Sequence, residues 1–214
     1  RLRKAGALIR GKTARAELAY IHSCKTKNPH DYSRTPGGSS SGSAAVIASH
    51  MAHLSIGSQT GGSIIRPASY CGVVGYKPSY GLISRNGVLK VSDKLDTMGV
   101  FGKTVKDVAL LAKTLIKKDL YDASTIHFSA DKMLEVCDEG PVFEPKFIFY
   151  KTNKWKNINK KSQTAFQFRG GHVLHSEAVG QVEVALDGGA LPEAANGVAD
   201  LDVNLGAVEG AAAL

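Results

Sequence analysis

Apolar residues fall at positions 105, 108, 111, 112 and 115, the spacing of one buried helix face, directly after Thr104. Thr104-Val105-Lys106-Asp107 therefore predicts a helix start. Elsewhere the pattern comes in shorter pieces. Residues 1–5 read as the end of an amphipathic helix and Ala7-Leu8-Ile9 as a short buried strand. Thr13 is placed to cap a helix over Ala14 to Tyr20, and Ser43 to cap an apolar helix over Ala44 to His53. The polar stretch from Ser23 to Thr35 reads as loop. Leu54-Ser55-Ile56-Gly57 and Pro145-Lys146-Phe147-Ile148-Phe149-Tyr150 read as strands, with further strand-like pieces between Val73 and Leu89 punctuated by glycine and proline. Strands alternating with helices predict an α/β fold, a mostly parallel or mixed sheet sandwiched between helices.

A chain of 214 residues has room for one domain with a sizeable core. Charge adds a division. The net charge is +8, yet all 27 Lys and Arg precede position 171, and residues 171–214 hold seven acids with no Lys, Arg or aromatic residue. The change near Phe168 separates a core, 1–168, from an acidic Gly/Ala/Val-rich tail, 169–214. The basic part shows no stripe of bases interleaved with aromatics and no reader motif, which argues against nucleic-acid binding. Cys24, Cys71 and Cys137 are odd in number and widely spaced, which argues against a disulfide framework and fits a reducing compartment. No apolar run approaches the roughly 18 residues needed to cross a bilayer, and no signal segment opens the chain. A cytoplasmic protein without membrane contact is the expectation.

Candidate chemistry centres on two glycine-serine segments, Pro36-Gly37-Gly38-Ser39-Ser40-Ser41-Gly42-Ser43 and Thr60-Gly61-Gly62-Ser63-Ile64-Ile65-Arg66-Pro67. Ser39 and Ser63 each follow a glycine pair. Glycines accept positive φ and let a substrate approach the backbone, so several amides can turn toward one point. A hydroxyl beside such amides is the minimum equipment for acyl transfer. Pro36 to Ser43 alone would pass for a flexible linker; its place between ordered segments speaks against that. Gly6-x-x-x-x-Gly11-Lys12-Thr13 has P-loop spacing, but that motif needs a buried strand before it, and Arg1-Leu2-Arg3-Lys4-Ala5 does not supply one. The pairs His50/His53 and His172/His175 lack further ligands at metal spacing, and no metal or cofactor is expected.

These segments, with Leu2-Arg3-Lys4-Ala5-Gly6-Ala7, Tyr70-Cys71-Gly72-Val73-Val74-Gly75-Tyr76-Lys77-Pro78-Ser79-Tyr80-Gly81 and Leu95-Asp96-Thr97-Met98-Gly99-Val100-Phe101, resemble the amidase signature family. Gln59-Thr60-Gly61-Gly62-Ser63 followed by Ile64-Ile65-Arg66 looks more like its malonamidase-type branch than like the glutamyl-tRNA amidotransferase A subunit. The resemblance covers about residues 1–118, weakens to about 165 and does not reach the tail. It implies the amidase signature fold and an amide hydrolase. Ser63 would attack, Ser39 would relay its proton through a cis peptide after Gly38, and a lysine would be the ultimate base. The amides of Thr60, Gly61, Gly62 and Ser63 would form the oxyanion hole, and Arg66 would recognise a carboxylate on a small amide substrate.

In relatives that lysine precedes the segment matching Gly6 to Thr13. Lys12 and Lys77 belong to other motifs, so an N-terminally truncated and feebly active fragment is the expectation. Asp96 is expected to anchor the Leu95-Asp96-Thr97 loop rather than take part in catalysis. A non-catalytic scaffold derived from the same family is the alternative, and nucleotide binding is a remote third.

Overall fold

The computed structural model describes residues 1–19, 22, 24–139, 148–151, 153–167 and 172–175. They belong to two compact units divided after Glu139. The compositional boundary at 168 falls outside the described residues, as does the tail apart from 172–175.

In the first unit, helix α1 spans Ser41–Ala48, strand β1 Ser55–Gln59, helix α2 Ile65–Tyr70, strand β2 Val74–Tyr76, strand β3 Thr97–Gly102 and helix α3 Val105–Leu115. The sheet order is β1-β3-β2, antiparallel throughout, with β3 central. Successive residues of a strand face opposite sides, and β3 uses this directly. Phe101, fully buried, packs on Ala44, Ile47 and Ala48 of α1 and on Ile64 and Ala68 around the start of α2. Val100, also fully buried, packs on Val108, Leu111 and Ala112 of α3. Helices therefore cover both faces of the sheet, as the α/β pattern predicts, although its three strands are antiparallel where a mostly parallel or mixed sheet is expected. Burying a side chain such as Phe101 or Val100 contributes about 1.5–3 kcal/mol each.

The two faces differ in kind. Ile56, Met98, Val74 and Tyr76 share the α3 side with Val100 and make it apolar apart from Ser58 opposite Met98. On the α1 side the strands present Ser55, Gly57, Gln59, Gly75, Thr97 and Gly99 beside Phe101. Gly57 is required there, because a β-carbon would lie 2.6 Å from Ser40 Oγ and 2.7 Å from the Phe101 ring. The helix that carries the serine segment thus rests almost on the strand backbone.

Helix α3 begins as its sequence predicts. Thr104 Oγ1 accepts the Asp107 amide at 3.1 Å and Asp107 Oδ2 accepts the Thr104 amide at 2.9 Å, a reciprocal cap.

Several local expectations are corrected. Ala7-Leu8-Ile9 is not a strand: it forms no ladder, and Leu8 is 85% exposed. The Gly6-to-Thr13 segment is exposed coil, preceded by a single 3-10 turn at Arg3–Ala5 in place of the expected helix end. Of the helix expected over Ala14 to Tyr20, residues 14–19 are instead coil with a 3-10 turn at Glu17–Ala19 whose Leu18 has φ of +48°, and Tyr20 lies outside the described residues. Residues 13–16 bond instead to the serine segment. Thr13 Oγ1 meets Ser43 Oγ at 2.8 Å, Gly42 N–H donates to Ala14 C=O at 2.7 Å, and Ala16 N–H donates to Ser39 C=O at 3.0 Å. Groups committed outward cannot close i→i−4 bonds. Helix α1 starts at Ser41, two residues before Ser43, and stops at Ala48 rather than His53; His50 takes φ of +58°.

The second unit pairs strand β4, Ile148–Lys151, in parallel with strand β5, His172–His175, with helix α4, Lys160–Gln167, between them in sequence. A helix in the connection is what a parallel pair requires. Gln163 Nε2 donates to the Trp155 and Ile158 carbonyls at 3.1 and 2.8 Å, securing the turn before α4. Residues 145–147 of the expected strand lie outside those described. No described helix is long and apolar enough to cross a membrane.

Candidate active site

The first serine segment turns at Gly37, where φ is +78° and a β-carbon would press on Pro67 at 3.0 Å. Only glycine fits that turn at low cost. The Gly38–Ser39 peptide is cis. Ser39, Ser40, Ser41 and Ser43 are all buried, and their hydroxyls take different partners. Ser40 Oγ bonds both the C=O and the N–H of Ser58, at 3.1 and 3.3 Å, and Ser43 Oγ donates to Ile56 C=O at 2.8 Å. These hydroxyls satisfy the edge of β1 that faces away from β3. Ser39 Oγ differs: it is buried without a hydrogen-bond partner among the described residues.

The second segment leaves the end of β1 and enters α2. Gln59, 5% exposed, turns back so that Oε1 accepts the amides of Ile64 at 2.8 Å and Ile65 at 3.1 Å. It thereby closes the loop that carries Ser63. Pro67 lies in the first turn of α2, where its missing N–H leaves no intrahelical bond unmade. At the other end, Thr60 Oγ1 donates to Asp96 Oδ1 at 2.6 Å. Among the described residues, no N–H of Thr60, Gly61, Gly62 or Ser63 donates to a protein acceptor. Neither Gly61 nor Gly62 has positive φ, so the row is held by its neighbours' side chains and not by left-handed glycines.

The two segments meet. Ser40 N–H donates to Ser63 C=O at 3.2 Å, so Ser63, itself buried, lies against the residue following Ser39. Arg66 folds back over the loop: a β-carbon on Gly62 would stand 2.9 Å from its Nη2. Its side chain is exposed and makes no ion pair among the described residues.

Behind the loop lies a feature that sequence reading missed. Arg85 is 5% exposed. Its Nη1 donates to the carbonyls of Asp93 at 2.7 Å and Asp96 at 3.4 Å, and its Nη2 to Tyr80 Oη at 2.8 Å and Ser124 Oγ at 3.1 Å. The guanidinium stands 4.7 Å from the Tyr80 ring centre and 3.8 Å from the Asp122 carboxylate. Burial raises the pKa of Asp96, but the Thr60 hydroxyl, the Ser92 and Val91 amides and the Arg85 charge outweigh it and leave the carboxyl below its ordinary value. An arginine in a Ser-Arg-Asn-Gly turn carries no pattern that marks it as buried.

His50 and His53 are exposed, and no cluster of three or more potential metal ligands exists among the described residues. Lys12 lies in exposed coil, and the Lys77 amine, its pKa lowered by burial, donates to Pro78 C=O at 3.1 Å.

Over 141 residues the chain is 47% identical to the A subunit of the glutamyl-tRNA(Gln) amidotransferase from Sulfurihydrogenibium sp., covering 63% of the chain and 29% of the relative. It spans about three-tenths of the length of such curated relatives. The crystal structure of the glutamyl-tRNA(Gln) amidotransferase A subunit from Thermotoga maritima superimposes with TM-score 0.70 at 36% identity, over 81% of this chain and 41% of that one. The peptide amidase of Stenotrophomonas maltophilia does so with TM-score 0.57 at 29% identity, over 81% and 40%. The Amidase family profile matches residues 1–170, more than three-quarters of the chain, and with both serine segments inside that span the chain belongs to the Amidase family.

Proposed function

We propose that this chain carries the serine portion of a centre that hydrolyses amide bonds through an acyl-enzyme on Ser63. The observation that carries the reading is the row of uncommitted amides, Thr60 to Ser63, ending at a buried serine that lies against the second serine segment. An amide carbonyl is a resistant electrophile, and its tetrahedral intermediate carries charge on oxygen. A preset amide donor contributes on the order of 3 kcal/mol to stabilising such an oxygen. Amides already bonded within the protein could not serve.

Ser39 relays the proton of Ser63. A buried hydroxyl without a partner is costly unless something completes its bonding, and a general base belongs beside it. In this reading the base is a lysine amine, kept neutral by burial. None of the described lysines hydrogen-bonds Ser39 Oγ, so amide turnover by the 214-residue chain is expected to be feeble. Arg66, exposed and beside Gly62, suits a carboxylate on the substrate, since a guanidinium fork matches that group. The substrate class is a small carboxylate-bearing amide.

The test is mass-spectrometric mapping of a fluorophosphonate adduct. Slow labelling at Ser63, absent in Ser63→Ala, is expected. Equal labelling of both proteins, or none in either, would favour a scaffold that keeps the fold without the chemistry.

A further inference from the structure

We infer that Asp96 is a positioning residue for the Thr60–Ser63 amide row, acting through the Thr60 hydroxyl; this rests on reading that row as the oxyanion site. The ladder between β1 and β3 ends at the pair Gln59↔Thr97. One step further, Thr60 and Asp96 stand opposite each other, and their side chains join at 2.6 Å. The row therefore has two side-chain anchors, Gln59 on the amides that follow it and Thr60 on Asp96, the residue before β3.

Asp96 is built to hold still. It is 8% exposed, and its second oxygen accepts the amides of Val91 at 2.6 Å and Ser92 at 3.0 Å. Both oxygens are thus committed in different directions, which fixes the plane of the carboxylate. Its own carbonyl receives Arg85, whose backbone amide donates to Asp122 Oδ2 at 2.7 Å. A continuous set of bonds leads from the buried Arg85–Asp122 pair to the first residue of the amide row. Nothing else among the described residues bonds the Thr60 side chain. If the 91–96 loop were all that Asp96 served, the Val91 and Ser92 amides would suffice and Thr60 could be any residue that ends a strand.

The experiment uses the full 214-residue chain with Asp96→Asn, Thr60→Val and the double variant. The first readout, backbone order parameters of Gly61 and Gly62 by NMR, needs no catalysis. Values near 0.85 are expected in the parent chain, falling toward about 0.6 in each single variant while the amides of α3 stay unchanged. The second is phosphonylation of Ser63, resolved into a limiting rate and a half-saturating concentration. The limiting rate should drop roughly 10- to 100-fold with half-saturation little altered, the signature of misplacement and not of lost binding. The double variant should be no worse than the single ones, because the two residues act as one unit.

Additive losses, or unchanged order parameters at Gly61 and Gly62, overturn the inference. Failure of the parent chain to label at Ser63 overturns the reading of the site instead, and the order parameters then decide whether Asp96 positions the row. Should Asp96→Asn lose the far-UV spectrum of the parent, Thr60→Val breaks the same bond from the less buried side, and its order parameters and labelling rate decide in the same way.

Discussion

The hydroxyl of Ser40 bonds both backbone groups of Ser58, donating to its carbonyl at 3.1 Å and accepting its amide at 3.3 Å. A neighbouring strand would make the same two contacts. The start of helix α1 thus finishes the sheet with side chains, which gives Ser40 and Ser43 a structural task of their own.

Ser40→Ala leaves both groups of Ser58 without that partner, at a cost of about 1–3 kcal/mol. Ser49→Ala, which removes a hydroxyl of the exposed residue just past α1 that bonds Ala45 C=O, should stay within about 0.5 kcal/mol of the parent. Urea midpoints compare the two. Equal midpoints would mean that water replaces the Ser40 hydroxyl at no cost.

Gln59 governs the loop from its far end. Gln59→Ala removes the acceptor of the Ile64 and Ile65 amides, so their hydrogen exchange should accelerate and the protein should lose about 1–3 kcal/mol. Gln59→Glu retains an acceptor oxygen and should keep most of the protection. Exchange at Ile64 and Ile65 that is the same in all three proteins would show that the loop closes without this side chain.

Much of this architecture was legible in the residues. The period of positions 105–115 and the Thr104/Asp107 cap are local signals, and local bonds realise them. The serine segments could be picked out because glycine pairs before serines are informative wherever they fall. The central strand β3 was not legible as a strand: Gly99 and Gly102 dilute the apolar signal of Val100 and Phe101, and its strand character comes from two neighbours. The segment Ala14 to Tyr20 failed in the opposite way, since its helical pattern is overridden by bonds to a distant loop. Arg85 was invisible because partners from 80 to 124 in sequence make it a buried residue.

Acid should act through the carboxylates that Arg85 gathers. Burial raises the pKa of Asp122, but the Ser124 hydroxyl, the Arg85 and Ser124 amides and the Arg85 charge outweigh it, and the folded value lies below the ordinary 3.8. Asp96 is shifted in the same direction. A group depressed in the folded state contributes stability that is present above its unfolded pKa and lost as pH falls through the folded one. Unfolding free energy should therefore decline below about pH 4. Asp122→Asn should be less stable at about pH 7 and show a shallower decline between about pH 5 and pH 3, read from urea midpoints across that range. Parallel profiles for the two proteins would contradict the assignment.

The three cysteines are free and differ in surroundings. Burial pushes the Cys71 thiol up to about 11, and its side chain has no exposure. For Cys24 burial also acts upward, but hydrogen bonds from Thr26 and Ser41 prevail and its pKa falls below the usual thiol value. Iodoacetamide at about pH 8 should modify Cys24 early and Cys71 only as fast as the protein opens. Peptide mapping over time checks the order, and early modification of Cys71 would contradict its burial.

Because Val100 and Phe101 look in opposite directions from one strand, the two sides of the sheet can diverge at different speeds. Beneath α3 most neighbours are aliphatic side chains, and exchanges among them that conserve volume cost little. On the other side Ser40 touches the strand at Gly57 beside the cluster around Phe101, so a methyl added at Gly57 displaces the serine segment. Selection for heat resistance will find its substitutions under α3.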